Sequence, residues 1–473
     1  MLFSPSPKRR RLQLRISERR LLLIAGDVLA VAASVLIALR IWAFVARYEF
    51  TLDFVLPQSH WFIILVGLWL LLASANDFYD LRTAAGRLAT LQRLVWITFQ
   101  MLVVYLLVFF LSPPGSLPRL FILYFGVASL VLIGVWRLVN PALLGWASAP
   151  RRVLIVGTDW ATETIIGVIG RYAYNEYEIK GIIGEPEDVG LSICDVPVIG
   201  TGADLMNYVY RDQISELIIT SPHELGGETF QGVMDAYVRG ITLIPMPLLY
   251  ERITGRVPVE HVNSHWTIVL PMDGNSIFNP YPVLKRIADV SLAVVGLAFC
   301  ALLFPALALL IRLDSPGSIF YSQERMGLNG RVFRIYKFRS MVADAEKATG
   351  AVFSQQGDPR VTRIGRLMRK TRLDELPQLF NILRGDMSLI GPRPERPEHV
   401  RRLTAKIPFY RTRLVVRPGL TGWAQVRYGY GSDDEDALIK LQYDLYYIRH
   451  QSFILDMNIL VRTIGRVLKM SGV

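Results

Sequence analysis

Cysteine is almost missing from this chain. The 473 residues hold two, Cys194 and Cys300, far apart in sequence, which excludes a disulfide framework and any cysteine-built zinc site. Histidine is scarce as well: six are scattered without an H-E-x-x-H pair, so a histidine-based metal centre is not expected. Charged residues make up only 19% against 52% hydrophobic, and the mean hydropathy of +0.34 is too high for an ordinary soluble protein. There is no internal repeat, no long low-complexity tract and no G-x-G-x-x-G turn.

What charge there is lies unevenly. Residues 1–150 carry 14 basic and 6 acidic side chains, residues 151–284 carry 8 and 17, and residues 285–473 carry 30 and 17, for a net charge of +12. An acidic middle therefore separates two basic ends. Basic character of this kind suits nucleic acid, an anionic membrane surface or phosphorylated substrates. The long apolar runs decide for the membrane and against nucleic acid.

Four runs are long and apolar enough for a bilayer core, which takes roughly 20 helical residues: about 21–45, 60–75, 94–111 and 120–140. The first follows PKRRRLQLRISERR, and Arg82, Arg87 and Arg93 fall between the second and third. By the positive-inside rule both ends of this four-helix transmembrane bundle lie in the cytoplasm. Asp27 and Arg40 inside the first run fit a cleaved signal peptide poorly. A fifth run, Ile287–Ile311, has basic residues on both flanks and Pro305 within it. A helix broken at Pro305 that re-enters the same face satisfies both flanks; a kinked spanning helix is the alternative.

After Arg152 the chain reads VLIVGTDWATETIIGVI, a buried strand turning at Gly157 into a helix. Further strands are expected at Ile179–Ile183, Glu216–Thr220 and Ile241–Pro245, separated by helical stretches. That alternation predicts a Rossmann-like α/β domain with a parallel sheet. Asp159 stands where the second glycine of a dinucleotide turn belongs, so no cofactor site is expected there.

The chemistry concentrates after Asp314. In DSPGSIFYSQERMGLNGRVFRIYKFRSM, Asn329-Gly330 signals a hairpin, and alternation puts Lys337 and Arg339 on one strand face, about 7 Å apart, where they could hold a diphosphate. In PRVTRIGRLMRKTRL, Val361, Ile364, Leu367 and Met368 form one apolar helical face among arginines. Next comes KTRLDELPQLFNILRGDMSLIGPRP. Leu376, Leu379, Phe380 and Leu383 are helically spaced, and Pro377 is tolerated near a helix start, so Asp374 and Glu375 sit at or just before an N-terminus. An isolated Asp-Glu pair among basic residues is usually a solvated surface feature worth little. Here the dipole and nearby cations favour ionised carboxylates, and a divalent cation would relieve their repulsion. One carboxylate could attack phosphorus while the other holds the metal. Prolines on both sides of Arg393 preorganise a further cation.

With KFRSM, TRLDELPQLFNILRGDMSLIGPRP and RPGLTGWAQV at these separations, the chain resembles the bacterial polyprenyl-phosphate hexose-1-phosphate transferases that initiate exopolysaccharide, capsule or O-antigen synthesis. The resemblance implies transfer of hexose-1-phosphate from a UDP-sugar to undecaprenyl phosphate with release of UMP. It implies Asp374 as nucleophile, Glu375 as a ligand of Mg2+, phosphate roles for Lys337, Arg339, Arg372 and Arg393, and a homodimer. The implied layout is a membrane α/β multidomain protein: residues 1–150 a basic tail and four transmembrane helices, 151–280 a Rossmann-like cytoplasmic domain, and 281–473 a re-entrant helix with a mixed α/β catalytic domain on the cytoplasmic face of the inner membrane. One departure is Phe304 before Pro305, where the family often has serine.

Two rival functions stay open on the sequence alone. A membrane-anchored nucleotide-sugar dehydratase or epimerase would need Tyr-x-x-x-Lys and a glycine turn; Tyr281 to Lys285 has the spacing but contains Pro282 and lies outside the Rossmann-like part. A non-enzymatic assembly scaffold would leave the phosphate-binding residues without purpose. Which sugar is carried is not written in these motifs.

Overall fold

The structure is a computed structural model that describes residues 16–76, 78–79, 86–111, 120–143, 150–220, 225–259, 280–342, 358–429 and 433–468. Most of the N-terminal basic run, Arg82 and Arg119 lie outside the described residues. The chain divides into two compact units, Met1–Arg151 and Arg152–Val473.

The first unit holds four long helices: α1 (Ile16–Ala46), α2 (Ser59–Ala75), α3 (Arg87–Leu111) and α4 (Phe121–Leu143). Each is part of a segment long and apolar enough to cross a membrane. Helix α1 packs on α2 and α4, and α3 packs on the same two. The approach of α1 to α4 is close at Gly26, where an added Cβ would fall 2.1 Å from the Trp136 ring. At the adjacent position, the acid within this apolar helix has its partner. Asp27 and Arg137 are both buried and joined by two hydrogen bonds of 2.5 and 3.1 Å. The guanidinium also donates to Phe78 O at 3.4 Å and lies 4.1 Å from the Phe78 ring centroid. An uncompensated charge here would carry a full desolvation penalty, so the pair ties α1 to α4.

The second unit begins with a six-stranded sheet of order β3-β4-β2-β1-β5-β6. Its strands are β1 (Arg151–Val156), β2 (Tyr177–Ile183), β3 (Ser192–Ile193), β4 (Val196–Gly200), β5 (Glu216–Ile219) and β6 (Thr242–Pro245). The pairs β1–β5, β2–β4 and β5–β6 are parallel; the short edge strand β3 runs antiparallel to β4. Helices α5 (Trp160–Val168), α6 (Leu205–Arg211), α7 (Gly227–Val238) and α8 (Met246–Thr254) accompany it. The turn after β1 needs its glycine: Gly157 has φ +115°, and a Cβ there would meet Thr220 Oγ1 at 2.1 Å.

The segment after α8 packs on the C-terminal part. Val257 and Val259 are buried with Val400, Leu403, Leu441 and Leu445, so they belong to the core of the C-terminal part. Glu251, at the end of α8, is buried between Arg449 Nη1 at 2.7 Å and His450 Nε2 at 2.9 Å.

The C-terminal part contains α9 (Tyr281–Asp314), the hairpin β7 (Phe320–Met326) and β8 (Val332–Phe338), α10 (Arg363–Thr371), α11 (Gln378–Arg384), β9 (Ser388–Ile390), α12 (Pro397–Lys406), β10 (Gly419–Thr421), α13 (Trp423–Arg427), α14 (Asp434–Arg449) and α15 (Phe453–Leu468). The hairpin turns at Asn329-Gly330, both at positive φ, in the register Phe320↔Phe338 to Met326↔Val332. Helix α9 is helical on both sides of Pro305. Phe304, in place of the family's serine, stacks on Phe320 and Phe338 with centroids 5.7 and 6.3 Å away. Aromatic packing on the hairpin thus holds the helix at the residue before its proline.

Removing one member of the α1–α4 pair should expose how much it matters. Arg137→Leu leaves Asp27 buried and alone, at a cost of about 3 kcal/mol, and should lower the thermal unfolding midpoint in detergent; adding Asp27→Leu should restore most of the loss.

Candidate active site

The acidic pair of the DELPQ motif lies between two helices. Helix α10 starts at Thr362, whose side chain accepts from Gly365 N, and ends on Arg372 in the left-handed region (φ +60°). A single 3-10 turn, Leu373–Glu375, comes next, and Pro377 then precedes α11. The helix start therefore lies where the proline predicts it. Of the apolar residues expected on one face of α10, Met368 is buried and Ile364 packs beside it, whereas Leu367 is exposed. Phe380 is likewise exposed, outside the buried face of α11 that Leu379 and Ile382 form.

Asp374 and Glu375 are both buried, at 6% exposure each, yet their surroundings differ. Glu375 Oε1 accepts from Lys337 Nζ at 2.8 Å and Arg393 Nη2 at 3.3 Å, and Oε2 accepts from Arg372 Nη1 at 3.3 Å. The Asp374 carboxylate takes no hydrogen bond among the described residues. The electrostatics follow this division. Burial alone would raise the Glu375 pKa, but Lys337, Arg393 and Arg372 outweigh it and hold the group well below the usual carboxylate range. For Asp374 burial and the neighbouring Glu375 charge prevail over Lys337, Arg369 and Arg372, pushing it up to about 6. Both carboxylates are therefore mostly ionised at neutral pH, Glu375 by a wide margin and Asp374 by a narrow one.

Lys337, Arg372 and Arg393 thus come together around Glu375. Arg339 does not join them. Its guanidinium is buried and donates to the carbonyls of Pro316 (2.5 Å), Ser315 (2.6 Å) and Ile311 (3.4 Å). These lie at the C-terminal end of α9, where carbonyls have no helical partner. Arg339 caps a helix, and the expected Lys337–Arg339 diphosphate clamp is not formed. Alternation along the strand could not reveal this, because the carbonyls that claim Arg339 come from more than twenty residues upstream.

The loop carrying Arg393 is held from several sides. An added Cβ on Gly391 would lie 2.4 Å from Arg417 O, on Gly419 2.1 Å from Gly391 N, and on Gly422 2.2 Å from Gly391 O. The glycines of GPRP and RPGLTGW thus let two backbones touch, and they cross-bond: Gly391 N to Thr421 O and Gly419 N to Pro392 O, each 2.9 Å. Two arginines that sequence reasoning passed over support the same loop. Arg413 donates to Arg393 O at 3.0 Å and pairs with buried Asp444 at 2.8 Å; Arg325 donates to Pro394 O at 3.1 Å. Nothing local in sequence marks either. Gln378, four residues after Asp374, was also missed. It is 3% exposed, and its side-chain Nε2 has no hydrogen-bond partner among the described residues.

For a divalent cation the residues offer little beyond the acidic pair. No cluster of three Asp, Glu, His or Cys side chains occurs among the described residues, and both oxygens of Glu375 are engaged. An ion there would have to share the pair with a substrate's phosphate oxygens, as magnesium commonly does. The rival motif fares worse: Tyr281 Oη and Lys285 Nζ both bond to Asp456 Oδ2, at 2.9 and 3.0 Å, so the pair is committed to a third residue.

Comparison with known proteins agrees with this geometry. A family described as bacterial sugar transferase matches residues 280–470. The chain is 44% identical over 186 residues to a UDP-glucose:undecaprenyl-phosphate glucose-1-phosphate transferase of Caulobacter vibrioides, covering 69% of that protein and 39% of this chain. The chain belongs to the bacterial sugar transferase family. Within it, a UDP-N-acetylgalactosamine-undecaprenyl-phosphate N-acetylgalactosaminephosphotransferase of Aeromonas hydrophila is 43% identical over 246 residues, 52% of this chain and 56% of the relative. A glucose-1-phosphate transferase of Xanthomonas campestris pv. campestris, also UDP-glucose:undecaprenyl-phosphate specific by name, is 34% identical over 324 residues, 67% of this chain and 66% of the relative. The chain thus spans between half and two thirds of these two relatives.

A second family, described as a CoA-binding domain, matches residues 74–244. The β1 turn does not suit a pyrophosphate. Asp159 caps α5 with its own carboxylate, accepting from Ala161 N at 3.1 Å and Thr162 N at 3.3 Å, and so places a negative charge where an anion would have to bind.

The cap assigned to Arg339 separates from a phosphate role by experiment. Arg339→Gln leaves buried carbonyls unsatisfied and should cost about 2–3 kcal/mol, lowering the unfolding midpoint by roughly 4–12 °C, whereas a phosphate ligand would lower substrate affinity with the midpoint unchanged.

Proposed function

We propose that this bacterial sugar transferase moves a hexose-1-phosphate from a UDP-sugar to undecaprenyl phosphate, on the cytoplasmic face of a bacterial inner membrane, through a phosphosugar carried on Asp374. The carrying observation is the split between neighbours: Glu375 absorbs three cations while Asp374, equally buried, takes no hydrogen bond among the described residues. A free carboxylate with a pKa of about 6 is largely ionised at neutral pH and is not quenched by hydrogen bonds. The names of the relatives supply the substrate class, and since they differ in sugar, the sugar stays a hexose.

In the first step an Asp374 carboxylate oxygen attacks the sugar-bearing phosphorus of the UDP-sugar. The bond from that phosphorus to the bridging oxygen breaks, and UMP leaves with the electron pair. In the second, an oxygen of undecaprenyl phosphate attacks the same phosphorus, the aspartyl oxygen–phosphorus bond breaks, and Asp374 returns as a carboxylate beside the new lipid diphosphosugar. Lys337, Arg372 and Arg393 are already gathered at Glu375, so a diphosphate meets oriented cations and little reorganisation is needed. Arg393, whose side chain is 38% exposed, is the most accessible of them. Asp374 and Glu375 would hold a magnesium ion, which neutralises phosphate charge when bound.

The membrane arrangement follows the same logic. A straight helix of the length of α9 would run roughly 50 Å, yet both its ends dock on one body. Near its start Arg286 donates to Ile382 O and Leu383 O at 2.7 and 2.9 Å, and Asp289 accepts from Leu389 N at 2.9 Å. Near its end Ile311 packs with Phe338 and Met368. A segment with both ends on one cytoplasmic domain is expected to dip into the bilayer and return.

The test uses sugar-labelled UDP-sugar without lipid acceptor. Wild-type protein should retain label with one equivalent of UMP released, and Asp374→Asn should retain none and lose lipid diphosphosugar formation by orders of magnitude. A fully active Asp374→Asn would refute the assignment.

A further inference from the structure

A cavity of about 250 Å3 lies between the first turns of α9, strand β9 and the first turns of α15, lined mostly by apolar groups such as Leu284, Ala288, Leu292, Ile390, Met457 and Leu460. None of the cations at Glu375 borders it. Its volume is below the roughly 300–1,000 Å3 of pockets that enclose a whole small molecule, so it suits part of one. An apolar cavity of roughly 150 Å3 takes a six-carbon ring, and by proportion this one takes on the order of ten carbons.

Its polar edge decides which part. Asp456 Oδ2 accepts from Tyr281 Oη and Lys285 Nζ, and its Oδ1 accepts from Tyr447 Oη at 3.0 Å. Asp289, also on the lining, accepts from Leu389 N. One cation faces two carboxylates, so a phosphate is repelled and a hydrocarbon is not. On the same two helices, the neighbouring side chains Val283, Ile287, Phe453 and Ile454 are 58–78% exposed, an apolar surround that water disfavours and lipid suits. The inner wall leads to the chemistry, since Ile390 precedes Arg393 by three residues, about 10 Å of extended chain.

We infer that this cavity seats the head-proximal isoprene units of the lipid-phosphate acceptor, about two of them, with the phosphate lying outside it towards Arg393. This rests on the transferase reading above. It makes the first turns of α9 and α15 a chain-recognition site, distinct from the residues that handle phosphate.

Two measurements on the full-length protein test it. Ala288→Phe fills the cavity and should raise KM for undecaprenyl phosphate by at least about tenfold, the loss expected when burial is denied to even two or so of the ten carbons, while KM for the UDP-sugar stays within twofold; if that variant does not fold, Leu460→Trp fills the cavity from the opposite wall and should give the same split. An unchanged lipid KM in a folded variant overturns the inference. Separately, farnesyl phosphate bearing a diazirine on its first isoprene should crosslink within residues 281–292 and 453–460, and undecaprenyl phosphate should compete where phosphatidylglycerol does not. Crosslinks elsewhere, or equal competition by phosphatidylglycerol, overturn it. Because crosslinking reads binding without turnover, a failure of the transferase reading, seen as absent UMP release, is distinguished from a failure of the site.

Discussion

One buried carboxylate organises the catalytic part of this protein. Lys337 comes from a hairpin, Arg372 from the end of a helix and Arg393 from a proline-bounded loop, and Glu375 is where the three meet. Without that anion the cations would repel one another in a poorly solvated pocket, and the elements carrying them would have no common point. The cost of burying Glu375 is offset by these three charge-assisted contacts. Its consequence falls on the neighbour: with the cations claimed, Asp374 is buried without a hydrogen bond among the described residues, a state that stability alone does not favour and that a nucleophile needs.

The surrounding scaffold keeps that state from relaxing. Three glycines let the GPRP and RPGLTGW segments touch backbone to backbone, and Arg413 and Arg325 hold the carbonyls of Arg393 and Pro394 in the loop. The pair Arg413–Asp444 is itself buried, and burial pushes Asp444 up to about 6 against the pull of Arg413. Arg286 and Arg339 fix the two ends of α9 to the same body by donating to carbonyls. Several of the arginines in this basic domain therefore act on backbone oxygens, and its positive charge is not a simple measure of phosphate binding.

Much of this was legible in the sequence where the signal was local. Strand and helix periodicity located the parallel sheet, Asn329-Gly330 located the hairpin turn, and Pro377 placed the acidic pair just ahead of a helix. Long-range pairings were not legible. Nothing near Asp27 in sequence announces its partner Arg137, 110 residues away. Arg339 looked like a phosphate ligand because strand alternation says which face a side chain takes but not which carbonyls wait there. The same limit hid Arg413, Gln378 and the cavity under β9. The stacking of Phe304 on Phe320 and Phe338, beside Pro305, was equally hidden.

The central claim is that Glu375 gathers the cations and, together with the larger effect of burial, raises the pKa of Asp374. The most direct measurement is the pH dependence of protein labelling by sugar-labelled UDP-sugar, without acceptor, in wild type and in Glu375→Gln. Ionised Asp374 is the reactive form, so wild-type labelling should rise with pH around an apparent pKa of about 6. Replacing Glu375 removes the repelling charge and frees Lys337, Arg372 and Arg393 to face Asp374, so the apparent pKa should fall while the rate at its plateau drops. An apparent pKa that stays or rises in Glu375→Gln would contradict the account.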